Sequence, residues 1–182
     1  SLIVKDVHNG ETVFAYDTLR QLTPASVMKT VTTATALEIL GEDYRFPTTL
    51  AYDGSIEKGL LKGNLYIKGS GDPSLGSAHF APYHKRFLQE WISALKKVGI
   101  HKIQGAVIAD ESIFDTEGTS FKWVGEDMGS YYGAGSYGLC VFDNLYKLGL
   151  QTGAPGSRPK LKGTEPELSG IHFHNYLTAQ QV

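Results

Sequence analysis

Alternation opens the chain. Ile3-Val4 and Val13-Phe14-Ala15-Tyr16 flank Asn9-Gly10, a dipeptide favoured in type I′ turns, so residues 2–16 predict a β-hairpin. The next stretch, Ala25 to Leu37, has one charge, Lys29. Thr23 is placed to cap a helix there, Pro24 suits its first position and Gly41 its stop. Val27, Thr30, Val31, Thr32, Thr33 and Thr35 are β-branched and poor helix formers. Packing on most sides, rather than propensity, must hold such a helix, which is expected at the centre of a domain.

After Phe46-Pro47 the pattern shortens. Thr48–Tyr52, Asn64–Lys68 and Ala106–Ala109 predict strands between Gly-rich turns. Residues 82–98 predict an amphipathic helix, with Phe87, Leu88, Trp91, Ile92, Leu95 and Val98 on one stripe and Gly99 at its end. Residues 112–137, rich in Gly, Ser and aromatics, read as loop. Leu139–Leu150 and Ile171–Leu177 predict further strands, with a loop at 153–166 between them. The fold class is α+β.

The 182 residues carry 41% apolar and 20% charged side chains at a net charge of −2. That balance gives no reason to expect nucleic acid or an anionic membrane as partner. No apolar run approaches the roughly 20 residues of a membrane span. Leu2-Ile3-Val4 already reads as strand, so the chain is expected to begin inside a folded unit, after removal of a targeting segment or a cut. The single cysteine, Cys140, excludes an internal disulfide.

Candidate chemistry centres on Ser26-Val27-Met28-Lys29. Residues i and i+3 of a helix share a face. A serine hydroxyl is a weak nucleophile that needs a base in reach, and Lys29 can be that base if burial lowers its pKa. Ser-x-x-Lys is a signature of β-lactamases and penicillin-binding proteins, completed there by Ser-Asp-Asn and Lys-Thr-Gly elements. The spacing also occurs at Ser55/Lys58, Ser93/Lys96 and Ser157/Lys160. Only Ser26 is expected at a helix N-terminus, where free N–H groups can hold an oxyanion.

Other motifs read as structural. Lys68-Gly-Ser-Gly-Asp-Pro73 lacks the order of a phosphate loop and is expected to be a turn. His172 and His174 share a strand face but have no evident third metal ligand. His79, His84 and His101 read as solvated. Glu126-Asp127 suits a cap or turn, and Cys140 a small core position. Trp123, Tyr131 and Tyr132 are expected to pack rather than bind glycan.

Several blocks together carry a family likeness. Leu22-Thr-Pro-Ala-Ser-Val-Met-Lys29, Leu40-Gly-Glu-Asp-Tyr-Arg-Phe-Pro-Thr48 and Gly63-Asn-Leu-Tyr-Ile-Lys-Gly-Ser-Gly-Asp-Pro-Ser74 resemble the class C low-molecular-mass penicillin-binding proteins, the D-Ala-D-Ala carboxypeptidases. Gly105-Ala-Val-Ile-Ala-Asp-Glu-Ser-Ile-Phe114 and Trp123-Val-Gly-Glu-Asp-Met-Gly-Ser-Tyr-Tyr-Gly-Ala134 look like them too. The resemblance implies that residues 1–46 are the N-terminal piece of a β-lactamase/transpeptidase-like domain: part of its antiparallel sheet and its buried serine-bearing helix. Residues 47–182 would be a mostly β inserted domain. It implies a periplasmic serine carboxypeptidase/endopeptidase working through an acyl-enzyme on peptidoglycan peptides, inhibited by β-lactams, with no metal or cofactor. Ser26 would be the nucleophile, Lys29 its proton-transfer partner and the Ser26 N–H half of the oxyanion hole.

The 182 residues hold no Ser-x-Asn, Tyr-x-Asn, Lys-Thr-Gly or Lys-Ser-Gly, and Lys162-Gly-Thr164 has its letters in the wrong order. The chain alone is therefore expected to be inactive, and its open sheet edges to invite self-association. Two rivals remain at this point. One is a non-catalytic module that binds cell wall or a protein. The other is a serine β-lactamase or esterase on the same fold, against which the long insertion speaks.

Overall fold

A computed structural model describes residues 1–80 and 86–181. The chain divides into two compact units, Ser1–Arg45 and Phe46–Val182, each taken here by itself.

In the first unit, β1 (Leu2–Lys5) and β2 (Thr12–Tyr16) pair antiparallel, Leu2 opposite Tyr16 and Val4 opposite Phe14, with a register shift between Val4 and Lys5. The connection is wider than a two-residue turn. Asp6 N donates to Glu11 O (2.8 Å), and Asp6 Oδ1 accepts from His8 N (2.7 Å) and Asn9 N (3.3 Å). The short Asp6 carboxylate organises the loop, leaving Gly10 to supply the left-handed conformation at φ 76°.

The helix α1 spans Met28–Leu40 and ends at Gly41, φ 82°, where the sequence places its stop. Its start differs from the expectation. A 3₁₀ turn, Ala25–Val27, precedes it, and no side chain, Thr23 included, caps either element. The Val27 N–H bonds instead to Pro24 O (3.0 Å). The threonines are accommodated by back-bonding: Thr32 Oγ1 donates to Met28 O (3.2 Å) and Thr33 Oγ1 to Lys29 O (2.8 Å). The expected burial of this helix is not met inside its own unit. Met28, Val31, Leu37, Ile39 and Leu40 are all exposed, Val31 at 61%. A two-stranded ribbon is too narrow to wrap a helix whose apolar residues are spread round it rather than gathered on one face.

The second unit is built on three bent ribbons. The segments β3 (Thr49–Tyr52) and β4 (Ser55–Glu57) form the first, β5 (Leu60–Lys62) and β6 (Leu65–Lys68) the second. After α2 (Phe87–Lys97), β7 (Lys102–Ile103) and β8 (Val107–Asp110) form the third. The result is two three-stranded sheets, β3-β6-β8 and β4-β5-β7, in which β3/β6 and β4/β5 are antiparallel and β6/β8 and β5/β7 parallel. Parallel pairing needs a crossover, and α2 lies within it.

Each ribbon bends at a glycine: Gly54, Gly63 or Gly105. A Cβ there would lie 2.1 Å from Lys62 O, 2.3 Å from Asp53 O and 2.2 Å from Gly63 O respectively. The core gathers Leu61, fully buried at 0% exposure, with Leu65, Leu75, Phe87 and Ile100. Phe87 meets Trp91 edge-on at 4.9 Å and Phe142 at 5.6 Å.

The expected strand Leu139–Leu150 is cut short. Phe142, Asp143 and Asn144 all have positive φ (54°, 58°, 56°), a left-handed turn that no strand can contain. Phe142 N donates to Leu75 O (2.8 Å) and Asn144 Nδ2 to Gly135 O (3.0 Å), which hold it. Lys147–Gln151 forms a strand, β9, and Leu139 makes a single bridge to Asp72; β9 pairs antiparallel with β10 (Lys160–Glu165), which occupies much of the expected 153–166 loop.

The expected strand Ile171–Leu177 is irregular. Its bonds run through Asn175, whose Nδ2 donates to Pro159 O (2.8 Å) and whose Oδ1 accepts from Leu177 N (2.9 Å). These side-chain bonds take the place of a ladder. Residues 112–137 are loop with short 3₁₀ turns, as the sequence suggests. The N-terminal part of the expected 82–98 helix, with His84, lies outside the described residues.

Candidate active site

Ser26 sits in the middle of the 3₁₀ turn and Lys29 is the second residue of α1. The backbone is continuous from Ala25, itself at φ 46°, through the turn into the helix. The serine therefore stands at the positive end of a 13-residue helix, where the Val27 N–H is spent on Pro24 O and the Met28 N–H on Ala25 O. Both side chains are exposed. Lys29 makes no ion pair among the described residues; the two pairs found there join Arg20 to Asp17 and Lys62 to Glu57. The burial that would make Lys29 a base is not provided by its own unit.

The other three Ser-x-x-Lys pairs take unrelated positions. Ser55 is in β4 while Lys58 occupies the following turn at φ 48°. Ser93 and Lys96 lie inside α2. Ser157 Oγ donates to Ala154 O (2.6 Å) in a loop, and Lys160 begins β10. Lys162, Gly163 and Thr164 also lie on β10, where Thr164 Oγ1 accepts from Leu168 N (2.9 Å).

The Gly-rich run after β6 is a turn, and three of its backbone donors are used. Gly69 N donates to Asp110 O (2.9 Å), Gly71 N to Gly138 O (2.7 Å) and Ser74 N to Asp72 Oδ1 (2.8 Å). A phosphate cradle would need those N–H groups free. No cluster of three metal-ligating side chains exists among the described residues, His172 and His174 included. Asp127 Oδ1 accepts from Tyr132 OH (2.9 Å), joining the 3₁₀ turn Gly125–Asp127, in which Glu126 also lies, to the next one, Tyr131–Gly133. Cys140 is half-buried, its Sγ accepting from Tyr137 N (3.3 Å). Trp123, Tyr131 and Tyr132 are exposed rather than packed, and the two tyrosine rings meet edge-on at 5.2 Å.

Residues 1–181 match the D-Ala-D-Ala carboxypeptidase 3 (S13) family. The chain belongs to that family. Within S13 it resembles the D-alanyl-D-alanine carboxypeptidase of Actinomadura sp. (strain R39), 32% identical over 140 residues, covering 77% of this chain and 24% of the relative. It is 29% identical over 126 residues to D-alanyl-D-alanine carboxypeptidase DacB of Haemophilus influenzae, covering 69% of this chain and 25% of the relative. The chain thus spans about a quarter of the length of these two S13 relatives.

Among solved structures it is similar to penicillin binding protein 4 (dacB) of H. influenzae. The TM-score is 0.75 at 28% identity, over 87% of this chain and 34% of that one. The same protein complexed with a β-lactam gives a TM-score of 0.62 at 26% identity, over 87% and 30%. The mixed fold of few helices and several small sheets is thereby shared with an S13 enzyme.

Proposed function

We propose that this chain carries the nucleophile-bearing part of a serine-type D-Ala-D-Ala carboxypeptidase/endopeptidase that trims peptidoglycan peptides outside the cytoplasm. The observation that carries the reading is Ser26-x-x-Lys29 at the head of α1 in a chain that matches the S13 family throughout.

In this reading Ser26 Oγ attacks the carbonyl carbon of the scissile D-alanyl–D-alanine bond, and Lys29, as the neutral amine, takes the hydroxyl proton. The Ser26 N–H donates to the oxyanion. The C–N bond breaks, D-alanine leaves with the proton, and water hydrolyses the acyl-serine. A β-lactam acylates the same oxygen by opening its own amide. Serine, amine and backbone donors suffice, so the reaction calls for no metal or organic cofactor.

Two requirements point beyond these 182 residues. Lys29 must be desolvated to lose its proton, and its own unit leaves it exposed. The Ser-x-Asn and Lys-Thr-Gly elements are not in the sequence. We therefore assign this chain alone no turnover. The test is intact mass after benzylpenicillin, applied to this chain, to the longer gene product that contains it, and to the Ser26→Ala form of each. An adduct on the longer product that the substitution removes supports the enzyme. No adduct on either form of the longer product favours a non-catalytic wall- or protein-binding module.

A further inference from the structure

The loop that closes β1–β2 contains the chain's one Asn-Gly pair; Asn64, Asn144 and Asn175 precede Leu, Leu and Tyr. Its geometry bears on the chemistry of Asn9. Asn9 is exposed, and its Oδ1 accepts a hydrogen bond from Glu11 N (2.9 Å). That donor polarises the side-chain carbonyl and is in place for the negative charge a tetrahedral adduct would put on Oδ1. Gly10, at φ 76°, has open space where a Cβ would be and carries no side chain of its own to hinder its nitrogen. The Gly10 N–H bonds to Asp6 O (2.9 Å), a single exposed turn bond that must open first.

We propose that Asn9 is a site of spontaneous deamidation in the folded protein. Gly10 N gives its proton to hydroxide or water and attacks Asn9 Cγ. The new C–N bond forms, Cγ–Nδ2 breaks and ammonia leaves, giving a five-membered imide. Water then opens either imide carbonyl, leaving aspartate or isoaspartate at position 9. The product adds a carboxylate to a loop already holding Asp6 and Glu11, and the isoaspartyl form adds a methylene to the backbone. Asp6 Oδ1, which accepts from Asn9 N (3.3 Å), then faces a like charge. The loop loosens and the β1–β2 register frays from Lys5 and Thr12 inward.

The contrast is Asp53-Gly54. Its carboxylate is held by Asn64 N (2.6 Å) and Tyr66 OH (2.8 Å), and Gly54 is pressed against Lys62 O. An ionised, tethered carboxylate is a poor electrophile, so this pair stays intact.

The experiment ages the full chain at mildly alkaline pH, under native conditions and in urea, with peptide mapping and isoaspartyl methyltransferase labelling. The expected result is conversion at Asn9 in the native sample, reaching half while Asn64, Asn144, Asn175 and Asp53 are unchanged, and none in Asn9→Gln. Conversion confined to the urea sample would overturn the proposal, because the folded loop would then protect Asn9. So would earlier conversion at another asparagine, or undiminished labelling of Asn9→Gln. The mapping of the wild-type chain stands even if the variant folds poorly.

Discussion

Asn64 grips Asp53 twice: its backbone N–H donates to Oδ1 at 2.6 Å and its side-chain amide to Oδ2 at 3.1 Å. Tyr66 OH adds a third bond to Oδ2 (2.8 Å), and Asn64 Oδ1 turns the other way to accept from Ala106 N (3.0 Å). One asparagine thus ties all three ribbons together at the glycine bends. Backbone bonds cross the bend beside them, Asp53 N donating to Asn64 O (3.1 Å) and Leu65 N to Ala106 O (2.9 Å).

These bonds hold the Asp53 carboxyl below the usual carboxylate range, the Asn64 N–H contributing most and Tyr66 next; the same bond pushes the Tyr66 hydroxyl up. A carboxylate depressed in the folded state stabilises it fully above its unfolded pKa, about 3.9. That contribution is lost as pH falls through the lower folded value. Acid titration followed by circular dichroism should therefore show Asp53→Asn less stable than wild type at neutral pH, with the gap closing below about pH 4.

Adding one carbon at the bend should do more harm than adding it at an open turn. Gly63→Ala puts a methyl against the Asp53 backbone, and overpacking of this kind costs roughly 1–3 kcal/mol or more. Gly99→Ala meets no atom within 4 Å, although its φ of 88° brings some strain. Thermal melts should rank Gly63→Ala well below Gly99→Ala, and equal melting points would count against the bend as a close-packed joint.

Leu61 is the fully buried apolar side chain of the second unit. Leu61→Ala should cost about 2–5 kcal/mol in urea unfolding, through lost transfer energy and the cavity left behind. Leu88→Ala on the exposed face of α2 should lie within about 0.5 kcal/mol of wild type.

The first unit leaves both edges of a two-stranded ribbon and an apolar helix open. Two strands alone are marginal in water, and open edges template pairing. Sedimentation of the isolated chain should show association that grows with concentration and binding of a hydrophobic dye. A monodisperse monomer that binds no dye would show that these surfaces are covered.

How far the sequence led depended on element length. Alternation around Ile3-Val4 and Phe14 and Gly41 at a helix stop each carry a local physical reason and appear as expected; the stripe on α2 is met at Phe87, Trp91 and Leu95, while Leu88, Ile92 and Val98 are exposed. The segments β4, β5 and β7 have two or three residues apiece, too few for a period to show. Ile171–Leu177 has the composition of a strand, but Asn175 captures its bonds; Leu139–Leu150 is broken by three left-handed residues that lack the usual glycine. At the candidate site, Ser26 and Lys29 were legible because their spacing coincides with a helix start. The exposure of Lys29 was not, because it follows from a two-stranded ribbon too narrow to cover the helix that carries it.

Lys29 is the more discriminating of the two positions. Lys29→Arg places there a guanidinium that holds its proton at any working pH, so it cannot act as a base. In the longer gene product it should slow β-lactam acylation by about 10²-fold or more, the scale of a lost general base. Acylation at the wild-type rate would remove Lys29 from the proposed proton transfer.

The most direct measurement is the intact mass of that longer product after benzylpenicillin, with the adduct mapped by proteolysis. The account predicts one penicilloyl group on the peptide containing Ser26, absent from Ser26→Ala, and none on the 182-residue chain alone. An adduct that survives Ser26→Ala, or maps to a different serine, would contradict it.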